Sequence, residues 1–273
     1  MATYKLVDSE KLDADLTTVA DAIRAKTGGE EPLSFPEGMA GEMDAVFEAG
    51  KKSEWDAFWD AYQEDGRRDD YLFAFSGLGW TDNIFRPKYD IVPRSAYCMF
   101  RACAATNLEQ AIEDSGIELN FGNAIRMDDV FRDAAKLTIV PEIDARRVTQ
   151  TGGLGRMFSA CVSLITVRKL ILPEDGIIEL TSTFDNCTSL INITFEGVIR
   201  VNINIRWSSL LSKDSIASVL DALSLDTTGL TVTLSLTAVN NAFETSAGAA
   251  DGSTSAEWAT LIATKPNWTI SLV

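Results

Sequence analysis

The chain of 273 residues contains no histidine. That absence removes Ser-His-Asp and Cys-His nucleophile systems, together with His-ligated zinc and non-haem iron sites. Catalysis here would have to run on carboxylates, Lys, Tyr, Ser or Cys. Cysteine is scarce, and Cys98, Cys103, Cys161 and Cys187 lack any C-x-x-C spacing. Free, buried thiols are expected from them, not a zinc or redox site. Long apolar runs are also missing, so neither a signal peptide nor membrane insertion is expected. The expected location is a cytoplasm, unless a larger assembly carries the chain out. Basic residues are few, 24 against 40 acids, for a net charge of −16. No basic patch interleaved with aromatics occurs, so nucleic acid and anionic lipid are not expected partners. No cofactor or metal is expected either.

What is present is an ordinary globular composition, 46% hydrophobic and 23% charged. Residues 1–70 hold 18 acids against 8 bases, whereas residues 71–206 hold 16 against 14. The acidic front carries helical periodicity. Leu12, Leu16, Val19, Ala20 and Ile23 share one helix face, which Thr27-Gly28-Gly29 ends. A second helical pattern runs through Met39, Met43, Val46 and Phe47, then through Trp55, Phe58, Trp59 and Tyr62. Two readings stay open for it: an amphipathic hairpin packing on its neighbour, or a stalk that self-associates or docks on another subunit.

A longer period takes over after residue 70. Phe100-Arg-Ala-Cys103, Phe131-Arg-Asp-Ala134, Phe158-Ser-Ala-Cys161 and Phe184-Asp-Asn-Cys187 share F-x-x-[CA], with steps of 31, 27 and 26 residues. Leu137, Leu164 and Leu190 follow in the last three, and β-rich stretches follow those leucines. Such units cannot bury an apolar face alone, so a stacked solenoid with one continuous core is expected. The 31-residue step holds an insertion around Glu113 to Asn123. Beyond the repeats, Val201 to Arg206 alternates strictly, and a capped helix is expected through Ile216, Val219, Leu220 and Leu223. Leu230 to Leu234 reads as a strand, Ala238 to Phe243 and Ala256 to Ala263 as helices, and Trp268 to Leu272 as a last strand. Residues 207–273 would close the repeat core.

The F-x-x-C-x-x-L units and their strands resemble the BspA-like leucine-rich repeat family over roughly residues 71–206. Leu16 to Gly28 with Leu33 to Gly38, and Leu230 to Phe243 with Lys265 to Val273, resemble segments of tail-associated minor structural proteins of phages and prophages from gut bacteria. The resemblance implies an α+β chain: a helical attachment or oligomerisation region at 1–70, a β-rich leucine-rich-repeat solenoid at 71–206 and an α/β C-terminal cap at 207–273. It implies a non-enzymatic structural or adhesion role in a virion tail, or in the bacterial cytoplasm before assembly. The implied partners are tail subunits or a second copy through the N-terminal helices, and a cell-surface glycan or protein. No catalytic residues come with the family.

Among candidate sites, the polar members of the alternating stretches stand first: Thr166, Arg168, Asn192, Thr194, Asn202, Asn204 and Arg206. Stacked in register, they would form a polar ladder suited to carbohydrate or polar peptide, although such residues also serve solubility alone. Trp80 and Tyr89, in an aromatic-rich stretch with Tyr97, form a weaker ligand surface or an N-terminal cap. Met39, Met43, Val46, Trp55, Phe58, Trp59 and Tyr62 are the attachment candidates. Adjacent acids at Asp69–Asp70, Asp128–Asp129 and Glu174–Asp175 leave open a carboxylate-based carbohydrate-active enzyme, and a cytoplasmic protein-binding scaffold is a further alternative. Thr151-Gly-Gly-Leu-Gly155 lacks phosphate-loop spacing and reads as a turn. The sequons at Asn186, Asn192 and Asn267 read as chance matches.

Overall fold

Phenylalanines 26 to 31 residues apart in the chain lie in face-to-face contact. A computed structural model describes residues 90–149, 153–173, 179–180, 182–243 and 255–273. Within it, Phe100, Phe131, Phe158 and Phe184 form a column with ring centroids 5.4, 5.5 and 5.6 Å apart and interplanar angles of 9°, 0° and 21°. All four are fully buried. Phe121 meets Phe131 edge-on and Phe195 meets Phe184 edge-on, so the stack is also gripped from the side. Each such pair adds about 0.5–1.5 kcal/mol beyond the area it buries.

The backbone around each phenylalanine explains the spacing. The amides of Phe100, Phe131 and Phe158 donate to Val130, Met157 and Thr183 carbonyls of the next unit, at 2.8–3.0 Å. Two residues later, Ala102, Asp133 and Ala160 do the same to Arg132, Ser159 and Asp185. To aim those amides along the stack, the chain enters the left-handed region at two recurring places. One, two residues after the phenylalanine, is Ala102, Asp133, Ala160 and Asn186; the other, two before it, is Cys98, Asp129 and Arg156, all with φ of 54–63°. The cysteines fill the gap behind the rings. Cys161 Sγ donates to Phe131 O at 3.0 Å and Cys187 Sγ to Phe158 O at 3.1 Å. All four cysteines are free and buried.

After each turn the chain runs into a parallel sheet of β1 (Ile139–Asp144), β2 (Thr166–Ile171) and β3 (Asn192–Glu196), in that order. Val140, Val167 and Ile193 lie in one register row and point inward, as do Ile143, Leu170 and Phe195. The step leading into the strands is a continuous rung. Thr138 N donates to Thr106 O, Ile165 N to Thr138 O, Ile191 N to Ile165 O, and Ser212 N to Ile191 O.

The two ends of that rung lead into helices. α1 (Leu108–Ser115) follows Thr106 where a strand before β1 would run, and α2 (Lys213–Ala222) follows Ser212 where a strand after β3 would run. Asn107 caps α1 by accepting Gln110 N, and Gly116 ends it at φ 68°. The sequence reading places an insertion near Glu113 to Asn123. The extra length is instead largely this helix, whose Leu108 and Ala111 are buried against the repeat core. Ser212 caps α2. From α2, Ser215 Oγ accepts Ile193 N at 2.9 Å and Ser218 Oγ accepts Phe195 N at 2.8 Å. Serine hydroxyls thus complete the edge of β3 in place of a fourth strand.

A second parallel sheet comprises β4 (Ile203–Ile205), β5 (Leu230–Leu234) and β6 (Trp268–Leu272), with α2 crossing between β4 and β5. α3 (Leu236–Phe243) and α4 (Ala256–Ala263) precede β6. Trp258 is fully buried with its ring 5.2 Å from Phe243. The turn before β6 clamps the end of α2: buried Lys265 donates to Asp221 O and Leu223 O, and Trp268 Nε1 to Ser224 O. A lysine there also complements the negative end of the helix dipole. No helix among the described residues is long and apolar enough to cross a membrane.

Candidate functional site

The outer face of β1–β3 collects the polar side chains that the strands turn away from the core. Alternation puts Thr166 and Asn192 outward in one register row, where Asn192 Nδ2 donates to Thr166 Oγ1 at 3.4 Å. Between Val167 and Leu170 the register with β3 slips, so Arg168 and Lys169 both occupy the space facing Thr194. This bulge sends two adjacent basic side chains outward, which strict alternation would not do. Arg168 is bound bidentately by Glu109 of α1, at 3.0–3.2 Å. Lys169 bridges Glu142 of β1 and Glu196 of β3, each at 3.2 Å. At the far end of β1, Asp144 accepts Arg146 Nη2 at 2.6 Å, and that hydrogen bond holds its carboxyl below the usual value.

Both basic groups of β2 are therefore engaged in place by carboxylates of the neighbouring strands and α1. The hydrogen-bonding groups of this face are held in fixed rows, an arrangement that fits a polar, weakly charged ligand better than a polyanion. Each ion pair is exposed and contributes little stability by itself.

Asn202, Asn204 and Arg206 do not join Thr166, Arg168, Asn192 and Thr194 on one sheet. They belong to β4 and its flanks in the second sheet, because β4 precedes the rung residue Ser212 and falls in phase with the phenylalanine turns, Ile205 standing where Phe184 stands one unit earlier. Asn202 Oδ1 accepts Thr231 N at 2.8 Å, extending the short β4, and Asn204 Oδ1 accepts Arg206 N at 3.2 Å. Arg206 lies over the ring of Trp207, 4.9 Å from its centroid, and Trp207 is 41% exposed. Trp80, Tyr89, Met39, Met43, Val46, Trp55, Phe58, Trp59 and Tyr62 lie outside the described residues, as do Asp69–Asp70 and Glu174–Asp175.

Asp128 and Asp129 are engaged by arginines. Arg126 Nε lies 2.7 Å from Asp128, and its guanidinium sits 3.8 Å over the Tyr97 ring. Asp129, 1% exposed, is held bidentately by Arg156 at 2.7 and 2.9 Å and by Arg132 at 3.3 Å. Asp129 and Arg156 stand at equivalent places in successive turns, so this pair ties one unit to the next. Gly153 and Gly155 accept Met127 N and Asp129 N through their carbonyls, as turn residues of the stack. Burial pushes the Cys187 thiol up to about 12 and raises that of Cys161 well above its ordinary value. Among the described residues, no group of three or more His, Cys, Asp or Glu is placed to hold a metal. A groove of about 570 Å³ between α2 and α4 is crossed by the Lys213–Glu257 ion pair at 2.6 Å.

Three features escaped the sequence reading: α1, the serine closure of β3, and the Asp129 ion pair. The first had a signal, an Asn cap before Leu108 and a Gly after Ser115. The other two join residues more than twenty positions apart. No protein family, curated protein or solved structure matches this chain.

Proposed function

We propose that this chain is a non-enzymatic structural or adhesion protein, a phage or prophage tail-associated component related to the BspA-like leucine-rich repeat proteins. In this reading residues 71–206 form the repeat solenoid, residues 1–70 attach or oligomerise it, and residues 207–273 close it. The recognition surface is the outer face of β1–β3. The reading rests on that face: Thr166 and Asn192 form a polar row beside Arg168 and Lys169, whose charges are already matched by Glu109, Glu142 and Glu196. An array of fixed donors and acceptors whose basic groups are already engaged suits the hydroxyls of a cell-surface glycan or the backbone of a polar peptide.

The test is retention of the full chain on bacterial cells and on a broad glycan array. Binding is expected, and Asn192→Ala combined with Arg168→Ala is expected to lower it at least about tenfold. Equal binding by that variant, or none by the parent chain, would remove the face from consideration.

A further inference from the structure

The strands differ in how their edges are finished. The β1–β3 sheet ends in helices on both sides, and the outer side of β4 is bridged to Leu180. β6 pairs with β5 along one side from Leu230↔Trp268 to Leu234↔Leu272. Val273 N donates to Leu234 O and Val273 O accepts Leu236 N, so Val273 turns both backbone groups toward β5. In a parallel ladder alternate residues do this. Ser271 and Thr269 therefore share that direction, while the N–H and C=O of Ile270 and Leu272 point away from the sheet. Among the described residues neither has a partner on that side.

Soluble proteins usually protect such an edge with lysine, proline, a bulge or a covering helix. From Trp268 to Val273 the strand has no charged side chain and no proline. Its inward side chains are incompletely covered as well: Ile270 and Leu272 are half-buried, whereas their row-mates Val232 and Leu234 on β5 are fully buried, and Val273 is 60% exposed.

We propose that the outer edge of β6 is a self-pairing interface, on which a second copy of this chain adds its own β6 antiparallel about a twofold axis at Ser271. The register follows from which groups point outward. Ile270 of each copy exchanges two hydrogen bonds with Leu272 of the other, giving four in all, and the two Ser271 residues face each other as the non-hydrogen-bonded pair. The half-buried Ile270 and Leu272 gain cover from one another across the axis. Because the chain carries −16 overall, two copies approach most easily along an uncharged strand. The result is one six-stranded sheet, order β4-β5-β6-β6-β5-β4. This interface is separate from any association through residues 1–70.

Sedimentation of the full chain over a wide concentration range tests it, and a monomer–dimer equilibrium is expected. Ser271→Lys and Ser271→Glu each place like charges opposite one another at the axis. Each is expected to weaken self-association at least about tenfold, while an equimolar mixture of the two regains it as a heterodimer. The Ser271 side chain stands on the polar face in the row of Asn204 and Thr233, so circular dichroism of both variants, and their Tm at concentrations where the parent is monomeric, should match the parent. A parent chain that is monomeric throughout overturns the proposal. So does self-association that either variant leaves unchanged, or a mixture that associates no better than its components.

Discussion

Among the described residues, seven other than glycine sit in the left-handed region, and they fall into two columns of equivalent positions. Strain distributed this regularly belongs to the turn design, because Cys98, Ala102, Asp129, Asp133 and Ala160 each donate their amide to a carbonyl of the following unit. Only Asn and Asp tolerate that conformation well among side-chain-bearing residues, and Asn186, Asp129 and Asp133 fit it. Ala160 does not. Ala160→Gly and Ala160→Asn are therefore expected to stabilise the chain by about 0.5–1 kcal/mol, read as a rise in Tm. The cysteines give a second test at this scale. Burial pushes Cys187 up to about 12, against 9.0 for a free thiol. Between those values the unfolded chain loses a proton that the folded chain keeps, so stability falls as pH rises past 9. Below pH 9 the thiolate is disfavoured in the folded state. Iodoacetamide should label Cys161 and Cys187 only after unfolding, as followed by intact mass.

At the scale of elements, the serines of α2 are the most exacting feature. Ser215 and Ser218, one turn apart, meet the amides of Ile193 and Phe195, two residues apart on β3. Removing both hydroxyls by Ser215→Ala and Ser218→Ala leaves two edge amides without partners. The expected cost is about 1–3 kcal/mol for each, measured by denaturant unfolding, with faster hydrogen exchange at Ile193 and Phe195. Element type was legible wherever it depended on a short period. The alternation of Leu230 to Leu234 and of Trp268 to Leu272 falls on β5 and β6, and Ile216, Val219 and Leu220 mark the buried face of α2. The outward pair Arg168–Lys169 was not legible, because a bulge is set by what the neighbouring strand does. Nor was α1, whose eight residues follow Thr106 where the repeat phase implies a strand, with the Asn107 cap and the Gly116 stop as its local signals.

For the molecule as a whole, the phenylalanine spacing is the most informative sequence feature, because it marks positions that meet in space with rings 5.4–5.6 Å apart. Of the proposed recognition residues, Thr166, Arg168, Asn192 and Thr194 share one face, while Asn202, Asn204 and Arg206 stand on another sheet. That division follows from phase: β4 precedes the rung residue Ser212 and lies in line with the turns, whereas β1, β2 and β3 each follow their rung residue. The repeat phase also predicts which deletions are tolerated. Removing residues 166–191 takes out one unit of 26 residues and brings Asn192 to the rung on Thr138 O that Thr166 now occupies. That variant is expected to unfold cooperatively at a lower Tm, with β1 paired directly to β3. Removing residues 166–178, half a unit, should abolish the cooperative transition.

The helices at the two ends of the rung bear on kinetics as well as architecture. Every stacking contact and rung bond joins a turn only to its immediate neighbours, so loss of structure would travel as a zipper from whichever end opens first. α1 and α2 occupy those two ends, each anchored by a capped N-terminus. Opening the rung from either side therefore first requires melting a helix. That places the main barrier to unfolding at the margins of the array, while its interior rungs could separate quickly once a margin is lost.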